Sequence, residues 1–287
     1  MNQIKKSLHQ AVRFTRAACL ELLCVVASLD AIAGENAAAL PITSPQLTLP
    51  DETNTIDEEQ WAVHGQVTNI TQKHSTFAAS YNGTNSLSPN GRTEETTDVT
   101  LFTGIGLWHG AELWINTEID QGFGFNNTLG VAGFPNGGAY KLGANVPYLR
   151  IPRAFVRQVI SLGGATERVE STANQLEGSR TADSLTLTAG RFAVSDMFDT
   201  NTYAHDPRAD FLNWTIIDAG AFDYAADSWG YTFGGAAEWK QSWWTLRGGI
   251  FQLSAIPNGK VIGIDFSQFS VITEAENATS GRAIQAR

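Results

Sequence analysis

Cysteine is nearly missing from this 287-residue chain: there are two, Cys19 and Cys24, both within the first 33 residues. Methionine is equally scarce. Basic residues are few, 19 Lys+Arg against 29 Asp+Glu for a net charge of −10, and they nowhere cluster. That balance excludes nucleic acid as a partner class, because phosphate contacts need grouped Lys and Arg. Beyond residue 33 no apolar run approaches the ~18–20 residues that a membrane helix requires. If the chain crosses a bilayer, it does so with strands.

What is abundant is glycine and large aromatics: 27 Gly, eight Trp and 15 Phe, an unusual mixture for a compact enzyme. The mean hydropathy is that of a soluble protein. A membrane strand with one face toward lipid and the other toward water gives the same average.

Residues 1–33 have the order of a secretory signal peptide. Lys5, Lys6, Arg13 and Arg16 precede an apolar core from Ala17 to Leu29, and Ala31-Ile32-Ala33 precedes Gly34. Removing them takes four basic residues and two acidic ones (Glu21, Asp30), leaving 15 basic, 27 acidic, a net charge of −12 and no cysteine. A secreted chain without cysteine does without the usual staple of oxidising compartments and needs a large core or a closed sheet. Residues 34–60 are polar, with the acidic run Asp51, Glu52, Asp57, Glu58, Glu59, and read as a flexible leader.

From Trp61 onward the texture is short alternating stretches between Gly, Asn and Pro clusters. At 111–120, Leu113, Ile115, Thr117 and Ile119 oppose Glu112, Asn116, Glu118 and Asp120. Residues 61–68, 98–108, 153–160 and 184–191 alternate in the same way. Period-two patterning over such lengths predicts half-buried strands. At 229–239 the set Trp229, Tyr231, Phe233, Gly235, Ala237, Trp239 carries aromatics at both ends, and the next strand opens with Trp243-Trp244 after Lys240-Gln241-Ser242. Membrane strands need ~9–11 residues and carry aromatic girdles at both interfaces. The segments 121–150 and 195–222 read as the long loops of such a protein. A soluble β-sandwich, or a secreted β-rich carbohydrate-binding domain with Trp and Phe platforms, also alternates and stays as the alternative.

Residues 190–214 read Gly-Arg-Phe-Ala-Val-Ser-Asp-Met-Phe-Asp-Thr-Asn-Thr-Tyr-Ala-His-Asp-Pro-Arg-Ala-Asp-Phe-Leu-Asn-Trp. This resembles the signature stretch of the carbohydrate-selective porins (the OprB family) of Gram-negative bacteria. Trp61–Gln66, Gly110–Trp114, Glu170–Leu176, Asp223–Asp227 and Gly230–Thr232 resemble the family too, so the likeness runs from about Trp61 to about Phe251. It implies an all-β fold, a transmembrane antiparallel β-barrel of sixteen strands in the outer membrane, through which sugars diffuse passively. Seven or eight strands are countable here, spanning 61–275. The chain therefore looks like the N-terminal part of such a porin, with 276–287 as a tail outside the family pattern. The implied partners are monosaccharides or other small sugars, outer-membrane lipid and the barrel-assembly machinery, and a homo-oligomer is compatible with it.

A sugar-conducting lumen needs hydrogen-bonding groups and flat surfaces for pyranose rings. On the parity expected to face inward stand Glu112, Glu118, Asp120, Arg153, Arg157, Arg191 and Arg247, with Trp114 and Phe155 for stacking. The planar donor fork of Arg suits paired hydroxyls; mutual neutralisation across the wall is the competing role for the same charges. The loop motif Asp196, Asp199, Asn201, His205, Asp206, Arg208, Asn213 and Trp214 reads as a folded-in loop held by carboxylate–backbone and Asp206–Arg208 contacts, which by resemblance narrows the pore. Its carboxylate spacing fits no calcium loop. Ser195, His205 and Asp206 lack the turn and the oxyanion hole of a hydrolase. Glu112 and Glu118 lie ~20 Å apart on one strand face, against the ~5–9.5 Å of a glycosidase pair. No catalytic residue, metal or cofactor is expected.

Overall fold

A computed structural model describes residues 58–84, 86–128, 143–200, 203–208, 210–211, 213, 216–218, 223–256 and 259–277. All belong to the unit Thr55–Arg287. The expected signal peptide, most of the 34–60 leader and 278–287 fall outside the described residues.

Eight strands form one antiparallel sheet: β1 (Trp61–His74), β2 (Arg92–Trp108), β3 (Ala111–Gly122), β4 (Ala144–Val169), β5 (Gly178–Phe192), β6 (Thr232–Gln241), β7 (Trp244–Gln252) and β8 (Phe269–Asn277). Their order in the sheet is their order in sequence, and the ladders run from β1 to β8 without closing on each other among the described residues. The single described α-helix, α1 (Phe125–Thr128), is one turn long. No described helix is long and apolar enough to cross a membrane, which says nothing of strands.

The connections alternate in length. At one end His109-Gly110 joins β2 to β3, Ser242-Trp243 joins β6 to β7, and 170–177 joins β4 to β5. At the other end lie the long segments 75–91, 123–143, 193–231 and 253–268. Gly110 adopts φ +74, and a Cβ there would sit 2.3 Å from the Val159 carbonyl oxygen, so the tightest turn requires glycine.

The two faces differ in the sense opposite to a soluble sandwich. One row of ladder partners crosses the whole sheet: Trp61, Ile105, Leu113, Val156, Ala189, Gly235, Ile250 and Val271. It is apolar throughout and mostly exposed, 37% at Val156, 64% at Val271 and 67% at Trp61, with Leu113 and Gly235 half-buried. A contiguous apolar band of this extent marks a surface meant for another apolar phase. Trp239, Trp243 and Trp244 group at the short-turn end, with ring centres 5.1 Å (Trp239–Trp244) and 6.3 Å (Trp243–Trp244) apart.

The other face is covered, and polar groups are buried on it: Asp98, Thr100, Asn116, Glu118 and Asp120. Beside them lies an aromatic layer of Phe102, Trp114, Phe155, Phe192 and Phe251. Val194, Phe198 and Ala225, from the β5–β6 connection, pack onto it. The rings lie flat because glycine stands beneath them: a Cβ on Gly104 would come within 2.5 Å of the Trp114 ring, and one on Gly234 within 2.3 Å of Phe251.

Several boundaries differ from the sequence expectation. Residues 144–150 belong to β4 rather than to a long loop, and 58–60 pack against the sheet, with the Gly106 amide donating to the Gln60 carbonyl oxygen at 2.8 Å. β6 starts at Thr232, so Trp229 and Tyr231 precede the strand and do not belong to an interfacial girdle. β8 runs to Asn277, two residues into the stretch expected to be a tail.

Candidate functional site

On the covered face, charges are arranged strand against strand. Glu118 faces Arg150 across the β3–β4 ladder, with Thr100 beyond it on β2. The Arg150 guanidinium bonds Glu118 and, through Nε, Asp120 Oδ2 at 2.5 Å. Thr100 Oγ1 donates to Glu118 Oε2 at 3.0 Å. The same guanidinium lies 5.4 Å from the Tyr231 ring centre and 5.7 Å from Trp229. Trp229 Nε1 in turn donates to the Tyr148 hydroxyl at 3.3 Å.

Arg153 holds Asp196 with two parallel bonds, Nε–Oδ2 at 2.8 Å and Nη2–Oδ1 at 2.6 Å, and stands 5.0 Å from the Tyr231 ring centre. This bidentate form is the strong, directional version of the pair. Arg157 faces Glu112 at 3.7 Å and lies 5.2 Å from the Phe155 ring centre, while Trp114 Nε1 donates to Glu112 Oε2 at 2.8 Å. Arg247, on β7, gathers Glu238 at 2.6 Å, Glu274 at 2.5 Å and Glu276 at 3.0 Å. Arginine, carboxylate and flat aromatic therefore recur together along one wall.

Arg150 and Arg153 both reach this wall because β4 contains a bulge. Glu118 is opposite Arg150 and Asn116 is opposite Arg153, so three residues of β4 span two of β3. Pro152, buried at the irregularity, has no N–H to give to a ladder, and a bulge is where a strand tolerates it. The parity of β4 changes there. Counting alternation from Arg153 finds Phe155 and Arg157 and loses Arg150 and Tyr148.

Eight of the nine expected wall residues stand on this face: Glu112, Trp114, Glu118, Asp120, Arg153, Phe155, Arg157 and Arg247. Arg191 does not. It pairs with Ala154 and Phe233 on the opposite parity, stacks 5.4 Å from the Phe233 ring centre and bonds Asp227. It shares its parity with Leu185, Leu187 and Ala189.

The β5–β6 connection lies against the wall. Beyond the Arg153–Asp196 pair, the Asp199 amide donates to Glu274 Oε2 at 2.7 Å, and Phe198 meets Phe251 edge-on at 5.8 Å. The expected Asp206–Arg208 contact is a carboxylate–backbone one: the Arg208 N–H donates to Asp206 Oδ1 at 2.8 Å, and the Arg208 guanidinium reaches Asp98 at 2.9 Å and Thr68 at 3.1 Å. The Asp210 carboxylate accepts the backbone N–H groups of His205 and Asp206, which hold it below the usual carboxylate range. His205 Nδ1 lies 2.9 Å from Asp218 Oδ1, and that hydrogen bond raises the imidazole above its ordinary value. Burial pushes the Tyr224 phenol up to about 12. Asn213 lies on the same connection, where its carbonyl oxygen accepts from Ile216; Asn201 and Trp214 fall outside the described residues. Among the described residues, no three His, Cys, Asp or Glu side chains group as metal ligands.

Sequence reasoning missed Asp98, Asn116, Arg150, Trp229 and Tyr231. The cue for the first two was present, since each shares parity with a residue that was found. The other three depend on the bulge and on a chain reversal that alternation does not register.

The carbohydrate-selective porin, OprB family model matches residues 84–283. No curated protein and no solved structure matches significantly. The matched span takes in seven of the eight strands, including Arg150, Arg153 and the β5–β6 connection laid over them. The chain belongs to the carbohydrate-selective porin, OprB family.

Proposed function

We propose that this chain lines an outer-membrane channel through which small sugars diffuse passively, and that the arginine–carboxylate–aromatic wall of β2–β4 selects them. The observation that carries the proposal is the placement of the Arg150 and Arg153 guanidiniums against the Tyr231 ring, between carboxylates. Guanidinium forks offer paired donors, carboxylates offer acceptors, and aromatic faces suit the flat side of a pyranose. Each bond is one that water replaces at similar strength, so a sugar can enter and leave. The apolar row from Trp61 to Val271 is the lipid face, and the short turns lie toward the periplasm with the long segments outside. Such a row, left exposed, disfavours a secreted soluble carbohydrate-binding domain. The outer edges of β1 and β8 need partners in hydrocarbon, where each unpaired N–H or C=O costs several kcal/mol.

The test is fractionation of cells expressing the full chain, followed by liposome swelling with D-glucose. Recovery with the outer membrane and swelling faster than with empty liposomes supports the proposal. Recovery as a soluble periplasmic monomer without detergent overturns it.

A further inference from the structure

β4 and β5 continue past their neighbours. β3 follows β4 only to Gln158 and β6 joins β5 only from Ser184, so within 163–183 the two strands ladder only with each other, flanked by Glu59, whose amide donates to the Glu177 carbonyl oxygen at 3.0 Å. Gly163 (φ +123) and Gly164 (φ +87) stand where the register shifts, and a two-stranded ribbon bends at such glycines.

Beyond the bend the ribbon turns back over the covered face. Its tip, Thr172–Gln175, is closed by two reciprocal backbone hydrogen bonds of 3.0 Å. Ser171 Oγ lies 3.2 Å from His64 Nε2, and Leu176 is buried in the aromatic layer with Trp114. The Asn174 carbonyl oxygen accepts from Arg157 Nη1 at 2.7 Å, and Arg180 Nη2 donates to Gln175 Oε1 at 2.7 Å. The tip has come to the level of Arg157 and faces the β5–β6 connection, which arrives from the opposite end.

Between them is a chamber of about 250 Å³ walled by Arg153, Phe155 and Arg157 of β4, Asn174 and Gln175 of the tip, and His205 of the connection. The tip on one side and the connection on the other bound it, with room for a sugar ring. Asn174 holds φ +63, and its Oδ1 is buried with no hydrogen-bond partner within the protein. A buried amide oxygen left open in this way calls for a donor from water or ligand. The guanidiniums on the wall already have carboxylate partners, Arg153 in Asp196 and Arg157 in Glu112, so the chamber offers an anion no uncompensated guanidinium.

We propose that the turned-back β4–β5 ribbon is the periplasmic wall of a subsite for one neutral monosaccharide, in which the Asn174 amide contacts a hydroxyl of a ring lying against Phe155, and the Gln175 amide, bonded to Arg180 and to the Glu170 carbonyl oxygen, holds the tip that presents it. The proposal rests on the sugar-channel reading above. It adds that the turn on the short-loop side, rather than the long extracellular segments alone, sets selectivity.

The test is equilibrium binding of D-glucose, maltotriose and D-glucuronate to the detergent-extracted full chain, for wild type, Asn174→Gly and Gln175→Ala. Glycine keeps the left-handed backbone at position 174, so only the amide is lost; far-UV circular dichroism and heat-modifiable migration report folding. The expected result is D-glucose binding weakened at least fivefold in both variants, with maltotriose and D-glucuronate bound more weakly than D-glucose by wild type. D-glucose binding within twofold of wild type in both folded variants overturns the subsite and leaves the channel standing. Equal binding of D-glucuronate overturns the preference for neutral sugars. Failure of wild type to bind any of the three overturns the subsite and the sugar-channel reading together.

Discussion

Arg150 and Arg153 stand three residues apart on one strand and face the same side of the sheet, because the bulge at Pro152 absorbs one residue between them. Deleting Pro152 alone leaves the two arginines two residues apart, on one face of a regular ladder, and the folded, heat-modifiable band on electrophoresis is expected to persist. Deleting Ile151 and Pro152 together makes them neighbours on opposite faces and drives one arginine set, Arg150 or Arg153 with Arg157, to the apolar face. An arginine on the lipid face at mid-membrane costs about 2–4 kcal/mol, so the double deletion is expected to lose that band. Loss of the band in the single deletion, or wild-type migration of the double one, would refute the role given to the bulge.

Asp196→Asn removes the carboxylate from the two-bond pair with Arg153 while keeping its shape. Both side chains are partly shielded, at 21% and 27% exposed, so the loss is set at about 1–3 kcal/mol. Cleavage of the β5–β6 connection by proteinase K should accelerate several-fold with the strands left intact. An unchanged digestion rate would show that the pair does not hold the connection down.

The His205–Asp218 contact gives that connection a pH dependence. The imidazole pKa is raised in the fold, so its stabilisation is fully present below the unfolded value of about 6.5 and is lost as pH rises through the folded value. Hydrogen exchange in the connection, corrected for intrinsic rates, is expected to grow as pH rises above about 6.5. His205→Gln should flatten the profile; a variant that keeps the wild-type slope would assign it to another group.

Gly104→Ala places a methyl 2.5 Å from the Trp114 ring, which is wholly buried and cannot retreat without disturbing Glu112. Overpacking of this kind costs about 1–3 kcal/mol. The midpoint of urea unfolding in lipid should fall, and pairing Gly104→Ala with Trp114→Phe should recover part of the loss. No change in midpoint would mean that the ring has room.

On the proposed orientation Trp239, Trp243 and Trp244 lie at the periplasmic interface. Lipids brominated near the headgroup should quench their fluorescence more strongly than lipids brominated at the chain ends, and replacing all three with Phe should reduce that difference. Stronger quenching from the chain ends would place this end of the sheet at the wrong depth.

Alternation read the strands well where one parity was mainly apolar and the other polar, as at 111–120, where the face assignments match from Glu112 to Asp120. It failed where the backbone leaves period two. The bulge at Pro152 hid Arg150 and Tyr148. Arg191 was placed by its charge against the parity of Leu187 and Ala189, and the ladder keeps it with them. Trp229 and Tyr231 keep the spacing of a strand while preceding it, held by Asp227, whose Oδ1 accepts from both of their amides at 2.9 and 3.1 Å. The ribbon tip is the least legible feature. Its bend depends on two glycines, and its destination on Arg157 and His64, more than a hundred residues from the tip in the case of His64.

The uninterrupted order β1 to β8 also bears on how the sheet assembles. Every ladder joins consecutive strands, so each strand can add to the edge left by the one before it, and no pairing waits for a distant segment. Closure entropy grows only with the logarithm of the connecting length, about 0.6 kcal/mol per doubling. The β5–β6 junction therefore adds a modest entropic barrier despite its length. Lateral growth rather than loop search is then the slow event, and the hairpins on the two-residue turns, β2–β3 and β6–β7, are the places for it to begin.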